Sequence, residues 1–497
     1  MAIVLCSAVY GQHEHPAPEK LGTVSFPISC SPQVQAGFNR AVALLHSFTY
    51  APAAEAFTAV ASQDPRCAIA HWGIAMSYYH QLWQPQLPGE GLRKGHAELE
   101  QAQQIGAGSE REKGFIAAAS FIFAQDGGAY VAHAAKYRDA MAELAQQNRN
   151  DPEVQIFYAL ALLATASPED KTHQNQKTAA EILEPLYLKY PQHPGISHYL
   201  IHAYDNAELA QKGLKAAREY AQIAPSAPHA LHMPSHIFTR LGMWKDSMRS
   251  NEDARIAAHQ QGDIGEELHA MDYLVYASLQ EGRDGESAAI LKDLHNLGEL
   301  RGSEFKVAYA ATAMPVRYAV ERKQWTEATR CEAPAGAPPH VAALAAWARA
   351  LGYARSGNVT AARTELGSLE GMTQQLRGTN QYWAGQVHIQ SEEAAAWIAF
   401  AEHKPEEAAT LMKTAADEED AVEKLPVTPG PVVPAREQLG DLFALSGHPD
   451  AALAAYEKSL QDAPGRRGAL RGALESARAA GLKSKSSYYE AALKKLD

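Results

Sequence analysis

The strongest constraint on this chain is self-similarity at a spacing of 34 residues. The segment Pro194–Ala227, PGISHYLIHAYDNAELAQKGLKAAREYAQIAPSA, aligns with the one that opens at Pro228, PHALHMPSHIFTRLGMWKDSMRSNEDARIAAH. Further units open at Leu268 (after an insertion around QQGDIGEE), Tyr309, Ala343, Ile389 and Val433. Toward the N-terminus, AEAFTAVASQDPRCAIAHWGIAMSYY carries the same helix–turn–helix pattern, with Pro65 at the junction. Between Gln84 and Asn150 helices are expected but their phase is unclear. A unit of this size cannot bury its apolar face alone, so neighbours must stack into a continuous core. The chain is rich in alanine and poor in β-branched runs, which suits helices packed closely through small residues. An all-α fold is predicted.

Gly242, Gly282 and Gly447 stand at the turns between paired helices. A small residue follows five positions later at Ser247, Ser287 and Ala452, and Pro65, Pro225 and Pro464 close units. With these marks the units resemble tetratricopeptide repeats (TPRs) over nearly the whole chain from about Phe26. The resemblance implies a right-handed superhelical solenoid with a concave groove. It also implies that positions two, five and nine of each first helix face that groove. More specifically, HPGISHYLIHAYD, APHALHMPSHIFTRLGMW and EKLPVTPGPVVPAREQLGDLF resemble a family of exported bacterial TPR proteins, which implies a fold and no activity. The expected organisation is a truncated signal peptide at 1–12, an extended segment at 13–28 and TPR-like repeats at 29–150. Central repeats with a His-rich groove follow at 151–308, then C-terminal repeats at 309–497 with a Pro-rich loop near 425–434.

The repeat phase gives the histidines meaning. His198 and His232 are 34 residues apart, as are His202 and His236, and each of the pairs His198/His202 and His232/His236 is i, i+4 on one helix face. The same register adds His229 at position two of its unit. In the following unit His269, Asp272 and Tyr276 take positions two, five and nine. Neutral imidazole is a ligand for Zn, Cu, Fe or Ni, and i, i+4 spacing lets two rings reach one ion. Asp272 is expected either as a ligand or as a group that orients a ligand ring. The candidate metal set is therefore His198, His202, His229, His232, His236, His269 and Asp272, with no thiol nearby to suggest a Cys-based zinc site. By the same count Tyr276, Arg317, Glu393 and Glu437 fall at groove positions, and His46 and His80 fall near position thirteen of the N-terminal helices. Pro234, between His232 and His236, removes a backbone donor and is expected to disturb the i, i+4 geometry of that pair. Two other uses of these histidines stay open: an anion- or peptide-binding groove, and an incidental by-product of repeat duplication.

The remaining signals bound the function. A formal charge of −12 argues against a nucleic-acid partner. No apolar run approaches the ~18 residues of a membrane span. The opening MAIVLCSAVYGQ, apolar and then abruptly polar, reads as the tail of a secretory signal with a cut near Gly11, or with Cys6 as a lipid anchor. In an exported protein Cys30 and Cys67 could form a disulfide. The chain has no GxSxG, Walker, GxGxxG or HExxH pattern, so no nucleotide or flavin signature is present. PVTPGPVVP is expected to be a loop lying across the groove or an edge. The leading expectation is an exported, periplasmic or extracellular TPR solenoid that binds a divalent metal, Cu or Zn. The first alternative is a metal-dependent enzyme using the groove as a substrate cleft. The second is a metal-free scaffold that takes a peptide, protein or small-molecule ligand in the groove.

Overall fold

The computed structural model describes residues 19–82, 89–298, 300 and 305–496. The signal-peptide reading of residues 1–12, with Cys6 and Gly11, lies outside them. Among the described residues all regular structure is helical, and the helices pair into antiparallel hairpins stacked in chain order. This is the all-α, TPR-type solenoid that the repeat predicts. No described helix is long and apolar enough to cross a membrane.

Local chemistry sets the repeat boundaries. Proline occupies the first turn of Pro194–Tyr204 and Pro228–His232, where its missing N–H costs nothing. Asp263 caps Ile264–Gln280 by accepting the Glu266 N–H at 3.0 Å. Gly242 closes the turn before Trp244–Gln261 with φ +67°, and a Cβ there would sit 2.4 Å from the Pro464 carbonyl oxygen. Both the left-handed backbone and the close approach call for glycine at this position.

The stack does not leave an open groove over the histidines. Every residue of Pro194–Tyr204 is buried, and so is every residue of Ile264–Gln280 except Ile264. A helix buried on all sides must be enclosed by other elements. On the N-terminal side Gln35–His46 packs on Pro194–Tyr204, and the Cys30–Cys67 disulfide ties the segment before that helix to the start of Ala68–Met76. On the other side Arg467–Ala479 returns against Ile264–Gln280. There Arg466, fully buried, donates to Glu437, Glu321 and the Tyr276 hydroxyl. The Pro-rich segment crosses the interior, as one of its two expected placements had it. Lys424 bonds Asp205, the Pro426 carbonyl accepts from the Tyr273 hydroxyl, and Arg317 donates to the carbonyls of Gly430 and Pro431.

Candidate metal centre

Six of the seven residues expected to bind metal form two adjoining triads, all buried. His198 and His202 come from Pro194–Tyr204 and meet His229 from Pro228–His232. His232 ends that short helix, His236 lies in Pro234–Arg240, and both meet His269 of Ile264–Gln280. The ligand atoms within each triad lie within 4.8 Å of one another. The triads touch: ring centroids of His202 and His236 are 5.9 Å apart, and those of His229 and His232 are 6.0 Å apart.

Pro234 does not disrupt its pair, contrary to expectation. It occupies the first turn of Pro234–Arg240, where no intrahelical donor is lost. Met233, between the two short helices, keeps right-handed helical angles of φ −53° and ψ −35°. The Nε2 atoms of His232 and His236 accordingly stand 3.0 Å apart. In the first triad the His198 Nε2 lies 3.1 Å from that of His202 and 3.2 Å from that of His229.

The outer nitrogens determine what these short approaches mean. The Nδ1 of His198 faces the His46 carbonyl oxygen at 2.6 Å, and that of His229 faces Glu266 at 3.3 Å. The Nδ1 of His232 faces the Asn251 Oδ1 at 2.6 Å, and that of His236 faces Asp205 at 2.8 Å. The Asn251 amide nitrogen donates to the Ser247 carbonyl, so its oxygen is the atom turned to His232. All four partners only accept, so each Nδ1 carries the hydrogen and each Nε2 of a neutral ring presents a lone pair inward. Two such lone pairs at 3.0–3.2 Å repel unless a proton or a cation lies between them. Protonation is opposed. Burial first, then neighbouring imidazoles, hold His198, His202, His232 and His269 well below the usual histidine range. Burial also lowers His236 to about 4, against the pull of Asp205. An ion with Zn–N bonds of ~2.0–2.1 Å in tetrahedral geometry has an N···N edge of about 3.3 Å, close to these separations. The donor set fits a transition metal.

The surroundings hold the rings in place. Phe48, in the left-handed region at φ +54°, packs on all three rings of the first triad, with centroid distances of 4.4 to 5.9 Å. A bulky residue with that backbone is unusual and concentrates at constrained sites. Tyr273 packs on all three rings of the second triad, and its hydroxyl lies 3.5 Å from the His236 Nε2. Burial would raise Asp205, but Lys424, Arg240 and the His236 bond keep its carboxyl well below the usual range. Glu266 is likewise held ionised against burial by Lys306 and His229.

Asp272 is in neither triad. It points one turn further along its helix and forms a buried ion pair with Arg317, Nε to Oδ1 at 2.8 Å. The carboxylates beside the rings are instead Asp205 and Glu266, which the sequence reading missed. Both stand three residues from a cluster histidine, in HAYD and EELH, so helical spacing could have found them. The other groove candidates also have partners. Tyr276 and Glu437 meet at Arg466, and Glu393 accepts from the Gln438 side chain at 2.8 Å. His80 stacks on Tyr50 with centroids 4.0 Å apart. His46 belongs to a third buried group, bonded through Nε2 to Glu153 at 3.0 Å, while His193 takes the other oxygen of Glu153, also at 3.0 Å.

No family model matches the chain, and no curated protein matches it. Among solved structures, the human IFIT1 dimer with PPP-AAAA is similar at 12% identity over 86% of this chain and 90% of that one, with a TM-score of 0.41. The P58(IPK) TPR domain is similar at 11% identity over 91% of this chain and 99% of that one, with a TM-score of 0.22. Likenesses this low say nothing about a ligand, and the TPR-type assignment stands on the stacked helical hairpins themselves.

Proposed function

We propose that this protein is an exported metal-binding solenoid, with a pair of transition-metal ions, Cu or Zn, held by the two triads. One observation carries the reading: buried, neutral imidazoles whose outer hydrogens are fixed on acceptors and whose inner lone pairs face one another at 3.0–3.2 Å. His198, His202 and His229 would hold one ion, and His232, His236 and His269 the other. The Cys30–Cys67 disulfide supports export, since such bonds persist in oxidising compartments.

A second reading, metal-dependent catalysis, is favoured by the ligand count. Each triad supplies three protein nitrogens, and a three-ligand ion keeps a position open for water or substrate. Both readings are tested by loading purified protein with Zn(II) or Cu(I), removing loose ions by dialysis and counting metal per chain. Two ions per chain are expected. Binding of no ion would overturn both readings, while bound metal inert to exogenous ligands such as azide would favour storage or transfer over catalysis.

A further inference from the structure

Beneath the crossing loop the C-terminal repeats and part of the central ones line a partly open cavity of about 180 Å³, outside both triads. Its walls are aromatic at Tyr309, Trp347, Tyr382 and Trp383. Each cation on the wall already has an anionic partner within the chain. Lys171 binds Glu423, Arg240 binds Asp205 and Glu423, Lys424 binds Asp205, and Arg436 binds Asp417 and Asp420. The acids on the wall are not all balanced. Among the described residues, Glu393 and Glu419 form no ion pair. Glu393 accepts neutral hydrogen bonds from Gln438 and from the Trp347 indole, and Glu419 accepts one from the Ala435 N–H at 2.6 Å. Burial raises both, Glu393 well above its ordinary range with added repulsion from Glu419, and Glu419 to about 7. Three further polar atoms on this wall are buried without a hydrogen-bond partner: the Gln390 Oε1, the Arg436 Nε and the Ser459 Oγ.

A partly open space with carboxyls that lack a cation, a spare amide oxygen and aromatic faces has the chemistry of a cation pocket. An anion would meet no unpaired positive group there. A hydrated inorganic ion would find no use for the aromatic walls. We propose that this cavity binds a small organic ammonium, with its charged nitrogen against Glu393, Glu419 and Gln390 and its apolar body against the aromatic wall. None of the six triad histidines lines this cavity, so the proposal is independent of the metal reading.

The test is calorimetric titration of the full chain, metal-free and metal-loaded, with benzylamine, its neutral analogue benzyl alcohol and its anionic analogue benzoate, and separately with calcium. Benzylamine is expected to bind saturably at one per chain in both forms, with the two analogues about tenfold weaker or worse. The E393Q/E419Q double variant is expected to lose at least that factor while keeping its helical circular dichroism. If that variant fails to fold, the single E419Q variant and the charge preference of the wild type decide the matter. Four results would overturn the proposal: no benzylamine binding in the millimolar range, benzoate binding as tightly, an unchanged affinity in the folded double variant, or tighter binding of calcium in the same cavity.

Discussion

Three buried clusters lie side by side in the core, and they differ in how their protons are arranged. In the group His46–Glu153–His193, one carboxylate gives an oxygen to each imidazole, and the other ring nitrogen of His46 meets the Tyr199 hydroxyl at 2.9 Å. Burial opposes the charge on Glu153, but the two imidazoles outweigh it and bring the carboxyl down to about 2. The carboxylate closes the space between these two rings, and of their nitrogens the His193 Nδ1 alone is left without a hydrogen-bond partner. In the two all-histidine triads no acid stands between the rings, and the carboxylates lie outside, behind Nδ1. Burial and histidine content are common to all three groups. The acceptor inside or outside the ring is what separates a structural cluster from a ligand set. The two kinds are also joined, because the His46 carbonyl that belongs to the closed cluster fixes the tautomer of His198 in the open one.

The largest effect that can sharpen this contrast is stabilisation by metal. At free ion a thousandfold above Kd, each occupied site adds about 4 kcal/mol, so about 8 kcal/mol is expected for two. The urea midpoint of the chain should therefore rise strongly with Zn(II), and the H198A/H232A double variant should lose the rise. Next comes E153A, which strands two buried imidazoles and should destabilise the chain by about 3–5 kcal/mol while leaving its metal count unchanged. A loss of metal in E153A with the fold intact would break the comparison. Slightly smaller is the acid response of the closed cluster. The Glu153 carboxyl titrates near 2 in the fold and at 4.5 in the unfolded chain, so the unfolded state binds the extra proton between those values. Its contribution, about 3 kcal/mol, is complete above pH 4.5 and lost as pH falls toward 2. E153A should flatten that part of the stability profile of the metal-free protein. The smallest expected effect is that of K424M, which removes one of two cations on Asp205 and one anchor of the crossing loop. It should cost about 1 kcal/mol and speed metal removal by a chelator from the second triad more than from the first.

Repeat spacing made the fold legible, because a 34-residue period reports stacking directly. It also placed six histidines together, since equal register positions on adjacent helices meet in space. Three features were not legible. Groove-facing positions were expected to be open, but Gln35–His46, the 421–434 crossing and the returning Arg467–Ala479 cover the inner face, contacts that local periodicity does not encode. Asp272 was read as a partner of the metal because it shares a face with His269, but at its depth it meets Arg317 from the next repeat. Pro234 was read as a disturbance because it sits inside the periodic pattern, whereas the chain restarts its helix there and keeps helical backbone angles through Met233.

The central claim is that the two triads are separate sites of equal kind. Elemental analysis of metal per chain, on the wild type beside folded H198A and H232A variants after equal loading and dialysis, tests it most directly. Two ions in the wild type and one in each variant is the predicted result. No retained metal in the wild type, or two ions retained in both variants, would contradict it.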